Sequence, residues 1–170
     1  MPNNFTNEII KNFDNAALNY SNYSLIQKYF SKKIVDLIKK LNIPKGDWYD
    51  LGAGTGFLAD QIEQEFPKRN VIRIDFSKRM LLNNKENSKK LLWDLNSNLP
   101  LSNQKVSLLV SNFCLHWLNE PKFKLKNWFN QLAPGGYLIV SLPTNKSFPE
   151  WKFTCDKENI KYSGINFPEY

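Results

Sequence analysis

Trp48-Tyr49-Asp50-Leu51-Gly52-Ala53-Gly54-Thr55-Gly56 is the stretch that decides how this chain folds. A short apolar run ends in an acid, and three glycines follow at alternate positions. The pattern reads as a buried strand that stops at Leu51, a turn that needs the φ/ψ freedom of glycine, and a helix that begins near Phe57. In an open α/β sheet such a turn lies at the crevice beyond the carboxyl ends of the strands. A nucleotide-like ligand can lie there almost on the backbone of Gly52 and Gly54.

Working outward, residues 71–74 (Val-Ile-Arg-Ile) read as a second strand ending at Asp75, and Ser77 as the N-cap of a helix carrying Met80, Leu81 and Leu82. Residues 91–93 form a brief third strand ending at Asp94. Residues 106–111 form a fourth, continuously apolar, as in a parallel sheet buried on both faces. Residues 137–142 form a fifth. Helical spacing predicts helices over residues 8–23, then from a capping box of Ser24 and Gln27 through Ile26, Phe30, Ile34, Leu37, Ile38 and Leu41. The glycine turn leads into a helix with Leu58, Ile62 and Phe66 on one face, stopped by Pro67. A helix over 122–132 presents Leu125, Trp128, Phe129 and Leu132 to the sheet before Pro134-Gly135-Gly136 breaks it. Strands alternating with helices imply an α/β fold, a doubly wound and mostly parallel sheet. Right-handed crossovers then bring Asp50, Asp75, Asp94 and Asn112 to one rim.

The 170 residues suit a single domain: N-terminal helices over 1–46, a ligand-binding core over 47–142, and a partial substrate-side segment over 143–170, mostly loop with one helix near 150–157. An apolar fraction of 42% with 14% aromatic residues argues for a packed core. Cys114 and Cys155 have no partners at metal-ligand spacing, so no metal site is expected and both read as plain thiols in a reducing compartment. The N-terminus lacks the pattern of a signal peptide and no run is long enough to cross a bilayer, so a soluble, cytoplasmic protein is expected. The net charge of +7 comes from dispersed lysines that read as a solvated surface. They accompany no nucleic-acid motif, and neither nucleic acid nor membrane is expected as a partner.

Asp75 ends the second strand, where a carboxylate can accept hydrogen bonds from both ribose hydroxyls, a geometry that serves NAD and S-adenosylmethionine alike. Three features choose between them. Asp50 closely precedes the first glycine, where it suits a cationic amino group better than a pyrophosphate. The third glycine is Gly56, with Phe57 where the dinucleotide pattern G-x-G-x-x-G needs glycine. Asp94, at the end of the third strand, can accept from an exocyclic adenine amine.

With these residues assembled, the chain resembles the class I S-adenosylmethionine-dependent methyltransferases, through Asp50-Leu51-Gly52-Ala53-Gly54-Thr55-Gly56, Ile74-Asp75-Phe76-Ser77, Trp93-Asp94 and Pro134-Gly135-Gly136-Tyr137. Within that superfamily it is similar to the malonyl-acyl-carrier-protein O-methyltransferases of biotin biosynthesis. The narrower likeness is carried by residues 13–20 (FDNAALNY), 111–117 (SNFCLHW) and 147–150 (SFPE). The resemblance implies a Rossmann-like fold with S-adenosylmethionine as cofactor. It places Gly52, Ala53, Gly54 and Gly56 on the methionine part, Asp75 on the ribose, Phe76 and Met80 on the adenine faces, Asp94 and Leu95 on the adenine edge, and Asn112 beside the methyl group. Tyr20 would cover the pocket near the sulfonium, where a π face favours positive charge. Trp117 would belong to the acceptor wall, and His116 would be a pocket wall residue or a hydrogen-bond donor to the acceptor carboxylate. For Phe76, Met80, Tyr20 and His116, plain packing is the competing reading.

A malonyl carboxylate is already ionised at neutral pH and needs no general base, so no catalytic residue is assigned. The acceptor would be a malonyl thioester on acyl carrier protein; methylation of another small molecule, and an inactive S-adenosylmethionine-binding module, stand as alternatives. Family members carry two further strands beside the fifth, so the chain is expected to lack the last two strands of the fold and to be short at its C-terminus. The fifth strand would then be an apolar sheet edge, open to self-association or to cover by the tail aromatic residues Phe148, Trp151, Phe153 and Tyr162.

Overall fold

The computed structural model describes residues 4–100, 105–161 and 167. Two N-terminal helices, α1 (Asn4–Ala16) and α2 (Tyr20–Tyr23), precede α3 (Leu25–Ile38). The α/β core follows as β1 (Asp47–Leu51), α4 (Phe57–Glu65), β2 (Val71–Asp75), α5 (Lys78–Leu82), β3 (Lys90–Leu92) and β4 (Val106–Asn112). A 3₁₀ turn at Leu115–Trp117, α6 (Pro121–Phe129), β5 (Leu132–Ser141) and α7 (Pro149–Lys157) complete the described elements. The sheet has the order β3-β2-β1-β4-β5, and every pair is parallel. The chain moves outward from β1 to β3 and then returns to its other side. The β1 and β4 ends therefore flank the switch point at which ligands bind in open α/β sheets.

Strand alternation divides the core into two layers. Trp48, Val71, Leu108 and Val110 pack with Ile34, Val35 and Ile38 of α3 and Leu58, Ala59 and Ile62 of α4. Tyr49, Leu51, Ile74 and Leu109 turn the other way, onto Leu95, Leu115 and Trp128 of α6. With a side-chain period of two, Asp50 falls on the α3 side together with Trp48. The fully buried Arg73 falls there with Val71, its Nη2 held by Asp60 at 2.6 Å and Glu63 at 2.8 Å.

Several local expectations are corrected. The N-terminal helix over 8–23 is broken between Ala16 and Tyr20. Ser24 does begin α3, but it forms no capping box: its Oγ donates to the Ser21 carbonyl instead of receiving a backbone N–H. The buried face of α3 is Ser31, Ile34, Val35 and Ile38, leaving Ile26, Phe30 and Leu37 exposed. In α6 only Trp128 among the expected apolar residues is buried; Phe129 is 63% exposed and, with Leu125, lines an apolar groove beside Leu138 and Val140 of β5. The helix ends at Phe129, and Pro134-Gly135-Gly136 lies inside β5. Register jumps there from Val106↔Leu132 to Leu108↔Tyr137, so the expected breaker is a bulge, with Gly135 at φ +77°.

Ser77 caps α5 as expected, accepting from the Met80 N–H at 3.1 Å. The tail helix α7 forms, but its flanking aromatic residues turn toward His116: Phe167 lies 5.7 Å from the His116 ring and 6.0 Å from that of Phe148. Trp151 and Phe153 are exposed, and Tyr162 lies outside the described residues. Among the described residues β5 pairs only with β4 and is a sheet edge. Among the described residues no helix is long and apolar enough to cross a membrane, and no cluster of His, Cys, Asp or Glu could hold a metal ion.

Candidate functional site

A cleft made of two pockets with shared lining residues opens above the carboxyl ends of β1, β2 and β4. One end is lined by Ile9, Phe13, Asp75, Phe76, Met80, Asp94, Leu95, Phe113, Cys114 and Trp117, the other by Ser24, Lys28, Asp50, Ala53, Thr55 and Phe57. Tyr20, Gly52, Gly54 and Asn112 line both ends. Of the residues expected here, Gly56 and His116 line neither.

The three glycines do different work. A Cβ on Gly52 would stand 2.3 Å from Cys114 Sγ, and one on Gly56 would stand 1.9 Å from Asn84 Oδ1, so both are excluded by internal packing. A Cβ on Gly54 would meet nothing within 4 Å, because this residue faces the open cleft. Its neighbours' N–H groups are turned inward. Gly52 and Ala53 donate to the Ile74 carbonyl at 2.8 and 3.0 Å, Gly56 donates to the Ala53 carbonyl at 2.9 Å, and Gly54 donates to Asp75 Oδ2 at 2.8 Å. A turn that cradles phosphate keeps these donors free for anionic oxygens; this one has committed them.

Asp75 holds the turn and the next helix together, since its Oδ1 accepts from the Ser77 N–H at 2.8 Å. Burial pushes its carboxyl up to about 6, even though the Ser77 and Gly54 N–H groups favour the anion. The carboxylate offers about four acceptor sites, so with the Ser77, Gly54 and Phe76 N–H groups bound it still has room for a ligand hydroxyl. Asp50 is 1% exposed, and its Oδ2 has no hydrogen-bond partner among the described residues. Burial pushes this carboxyl up to about 7, with Arg73 pulling the other way. Asp94 Oδ1 accepts from the Asn96 N–H at 2.9 Å. The Asn112 amide is engaged structurally: Nδ2 donates to the Gln27 carbonyl and to Ser31 Oγ, both at 2.9 Å, and Oδ1 accepts from Ser141. It ties α3 to the sheet at the rim.

Sequence reasoning named Tyr20, Phe76 and Trp117 as pocket residues but missed Phe13, which completes an aromatic wall with them. Phe13 of α1 packs against Phe76, Trp117 and Tyr20 with ring centroids 5.9, 5.5 and 6.1 Å away. It is brought there by Asp14, whose Oδ1 accepts from Ser77 Oγ at 2.5 Å, and by the Asn83 amide, which donates to the Ala17 carbonyl at 3.2 Å. The signal in the sequence was the Phe13-to-Tyr20 spacing, but no local pattern says which element a helix will cover. Cys114, whose thiol burial holds firmly protonated, forms the floor beneath Gly52. The His116 ring packs tilted against Trp117 with centroids 5.2 Å apart and edge-on to Phe113 at 6.3 Å; burial pushes its imidazole down to about 4, and its Nδ1 has no partner among the described residues.

A family model described as a methyltransferase domain matches residues 49–140, more than half of the chain. Among curated proteins, the malonyl-[acyl-carrier protein] O-methyltransferase of Bacillus cereus is 26% identical over 160 residues, covering 89% of this chain and 60% of that protein. Malonyl-[acyl-carrier protein] O-methyltransferase 2 of Coxiella burnetii is 27% identical over 160 residues, covering 91% and 64%. The chain thus spans less than two thirds of the length of these relatives. Among solved structures, a SAM-dependent methyltransferase from Thermotoga maritima superposes with a TM-score of 0.66 at 22% identity, over 92% of this chain and 73% of that one. The plantazolicin methyltransferase BpumL, solved with bound S-adenosylhomocysteine, gives 0.55 at 18% identity, over 85% and 56%.

The cleft fits the cofactor of that class. It offers an unpartnered acid oxygen for an ammonium, a carboxylate with room for a hydroxyl at the end of β2, an open face at Gly54, and aromatic and Met80 surfaces for a purine. These features and the match to residues 49–140 agree, and the chain belongs to the methyltransferase-domain family, in the class I S-adenosylmethionine-dependent group.

Proposed function

We propose that this chain binds S-adenosylmethionine across the cleft and serves transfer of the methyl group to the free carboxylate of a malonyl thioester carried on acyl carrier protein. The observation that carries the cofactor part is the pairing of Gly54 and Asp75 at the open end of β1 and β2. Asp75 would receive the ribose hydroxyls, Phe76, Met80 and Leu95 would enclose the adenine, and Asp94 would accept from its amine. Gly52, Ala53 and Gly54 would lie under the methionine part. The acceptor part is supported by the relatives, 26–30% identical, that bear this activity in their names.

The bound cofactor supplies an electrophilic methyl group on a sulfonium. Transfer makes one oxygen–carbon bond and breaks one carbon–sulfur bond, the electron pair of the latter passing to sulfur. No proton moves, because the acceptor carboxylate is already an anion. What the chain contributes is alignment and exclusion of water, worth about 7 kcal/mol or more when the geometry is good. The Phe13, Tyr20, Phe76 and Trp117 rings provide a dry wall for this and present π faces toward positive charge.

Incubating the protein, extended to the length of its relatives, with S-adenosylmethionine and malonyl-acyl carrier protein should add one methyl group to the thioester, read by mass spectrometry. Turnover of a different small acceptor with none on the malonyl thioester would reject the acceptor assignment.

A further inference from the structure

Among the described residues, four that are not glycine have left-handed backbone: Phe113, Glu120, Phe148 and Asn159, at φ +50° to +58°. Glu120 and Phe148 stand just before α6 and α7, and Asn159 just beyond α7, where the chain turns at a helix end. Phe113 instead follows β4 directly and lines the cleft. A bulky side chain rarely takes this conformation, because its Cβ crowds the following carbonyl oxygen. Fixed points on both sides hold it there. The Asn112 amide donates to the Gln27 carbonyl and to Ser31 Oγ and accepts from Ser141, while the Phe113 N–H donates to the Ser141 carbonyl at 2.9 Å. On the other side Cys114 is packed against Gly52. Strain of this kind persists only where the surroundings over-determine it, and it collects at functional sites.

The ring so placed is gripped from both sides. Its centroid lies 5.4 Å from that of Phe30 on α3 and 6.3 Å from that of His116. His116 in turn packs on Trp117 at 5.2 Å, and Trp117 on Phe13 at 5.5 Å. These contacts make an unbroken belt of rings from α3, past the end of β4, to α1. We propose that Phe113 is a specificity-determining residue for the acceptor: the belt admits slender carboxylates whose neighbouring carbon carries only hydrogen, and refuses those branched at that carbon. This rests on the reading of the cleft as the site of S-adenosylmethionine and a malonyl thioester, in which the cofactor would lie on the β1 and β2 side and leave the β4 side to the acceptor. It adds a reason for a malonyl group rather than a branched homologue. A close-packed ring with neighbours on either side cannot retreat from an extra methyl group without displacing them.

The test measures, by calorimetry, binding of malonyl-pantetheine and methylmalonyl-pantetheine to the protein saturated with S-adenosylhomocysteine. The unaltered protein should prefer the malonyl thioester by at least about tenfold, the discrimination one methyl group brings in a tight site. Phe113→Ala and Phe113→Gly should cut that preference to about threefold or less by strengthening binding of the methylmalonyl thioester. Phe113→Leu, which keeps most of the bulk, should retain it. Phe113→Gly should also melt above Phe113→Ala, because glycine takes left-handed backbone without a Cβ clash. Equal binding of the two thioesters by the unaltered protein overturns the proposal. So does weakening of both alike in the small variants with the preference intact, as loss of a merely structural ring would give, and so does a higher melting point for Phe113→Ala than for Phe113→Gly. Failure of the unaltered protein to bind S-adenosylhomocysteine would overturn the cofactor reading, and binding of it with neither thioester would overturn the acceptor reading; each takes the proposal with it and is distinct from a lost preference.

Discussion

The Gly54 N–H donates to Asp75 Oδ2 at 2.8 Å, so the glycine with open space beside its Cα and the acid that ends β2 are fastened to one another. Asp75 therefore holds the glycine turn in place, and in the proposed function it would also receive ligand hydroxyls. Asp75→Ala should weaken binding of S-adenosylhomocysteine by about 1.5–3 kcal/mol for each charge-assisted bond lost. It should also speed hydrogen exchange at the Gly54 and Ser77 amides, whose acceptor is removed. Equilibrium dialysis and exchange measurements on the same variant check both. Weakened binding with unchanged exchange would show that the turn is held by other contacts.

The glycines separate fold from ligand. Gly54 and Gly56 both have left-handed backbone, at φ +54° and +82°, so alanine at either costs about 1–2 kcal/mol in strain. Only at Gly56 does the new Cβ also strike Asn84 Oδ1. Gly56→Ala should have the lower melting temperature, while Gly54→Ala should keep most of its stability and lose ligand affinity. Equal melting temperatures would contradict this division.

Asp50 makes stability and binding depend on pH. An acid whose carboxyl is raised in the fold keeps its proton there after the unfolded chain has lost it, so stability is present at low pH and is lost as pH rises. For Asp50 the loss runs from near 3.8 through about 7, and for Asp75 from near 3.8 through about 6. His116, pushed down to about 4 from 6.5, acts in the opposite sense over the acidic part of that range. Between pH 6.5 and 7.5 the Asp50 contribution is left on its own, and Asp50→Asn should flatten the fall in denaturant midpoint seen there in the unliganded protein. A ligand ammonium beside Asp50 favours the anion, so binding near pH 7 should release protons and tighten as pH rises. Calorimetry in buffers of different ionisation enthalpy reads that release.

Ser77 couples α1 to the site. Its hydroxyl caps α5 through the Met80 N–H and also donates to Asp14 of α1. Ser77→Ala should cost about 1–2 kcal/mol for the lost cap and should raise amide exchange along α1, which carries Phe13 over the cleft. Unchanged exchange in α1 would mean that its packing does not depend on this link.

Much of the core was legible because it is written locally. The strand ending at Leu51, the glycine turn, the acid after each of the next two strands and the Ser77 cap all follow from patterns a few residues long. The rest was decided by contacts between distant segments. Phe13 reaches the cleft because Asp14 meets Ser77 and Asn83 meets the Ala17 carbonyl, and Asn112, read as a rim residue, lines the cleft with its amide tied to α3 and β5. Ser24 had the composition of a capping box, but its hydroxyl found the Ser21 carbonyl nearby. Pro134-Gly135-Gly136 is an ordinary breaker in sequence, yet β4 accepts it as a bulge. Leu125 and Phe129 have helical periodicity, but periodicity does not show whether anything covers the face it defines.

Titration of S-adenosylhomocysteine, with NAD as the alternative ligand, tests the assignment of the cleft most directly. The account predicts single-site binding of S-adenosylhomocysteine, no measurable binding of NAD, and loss of the first in Asp75→Ala. Binding of NAD with none of S-adenosylhomocysteine would contradict it.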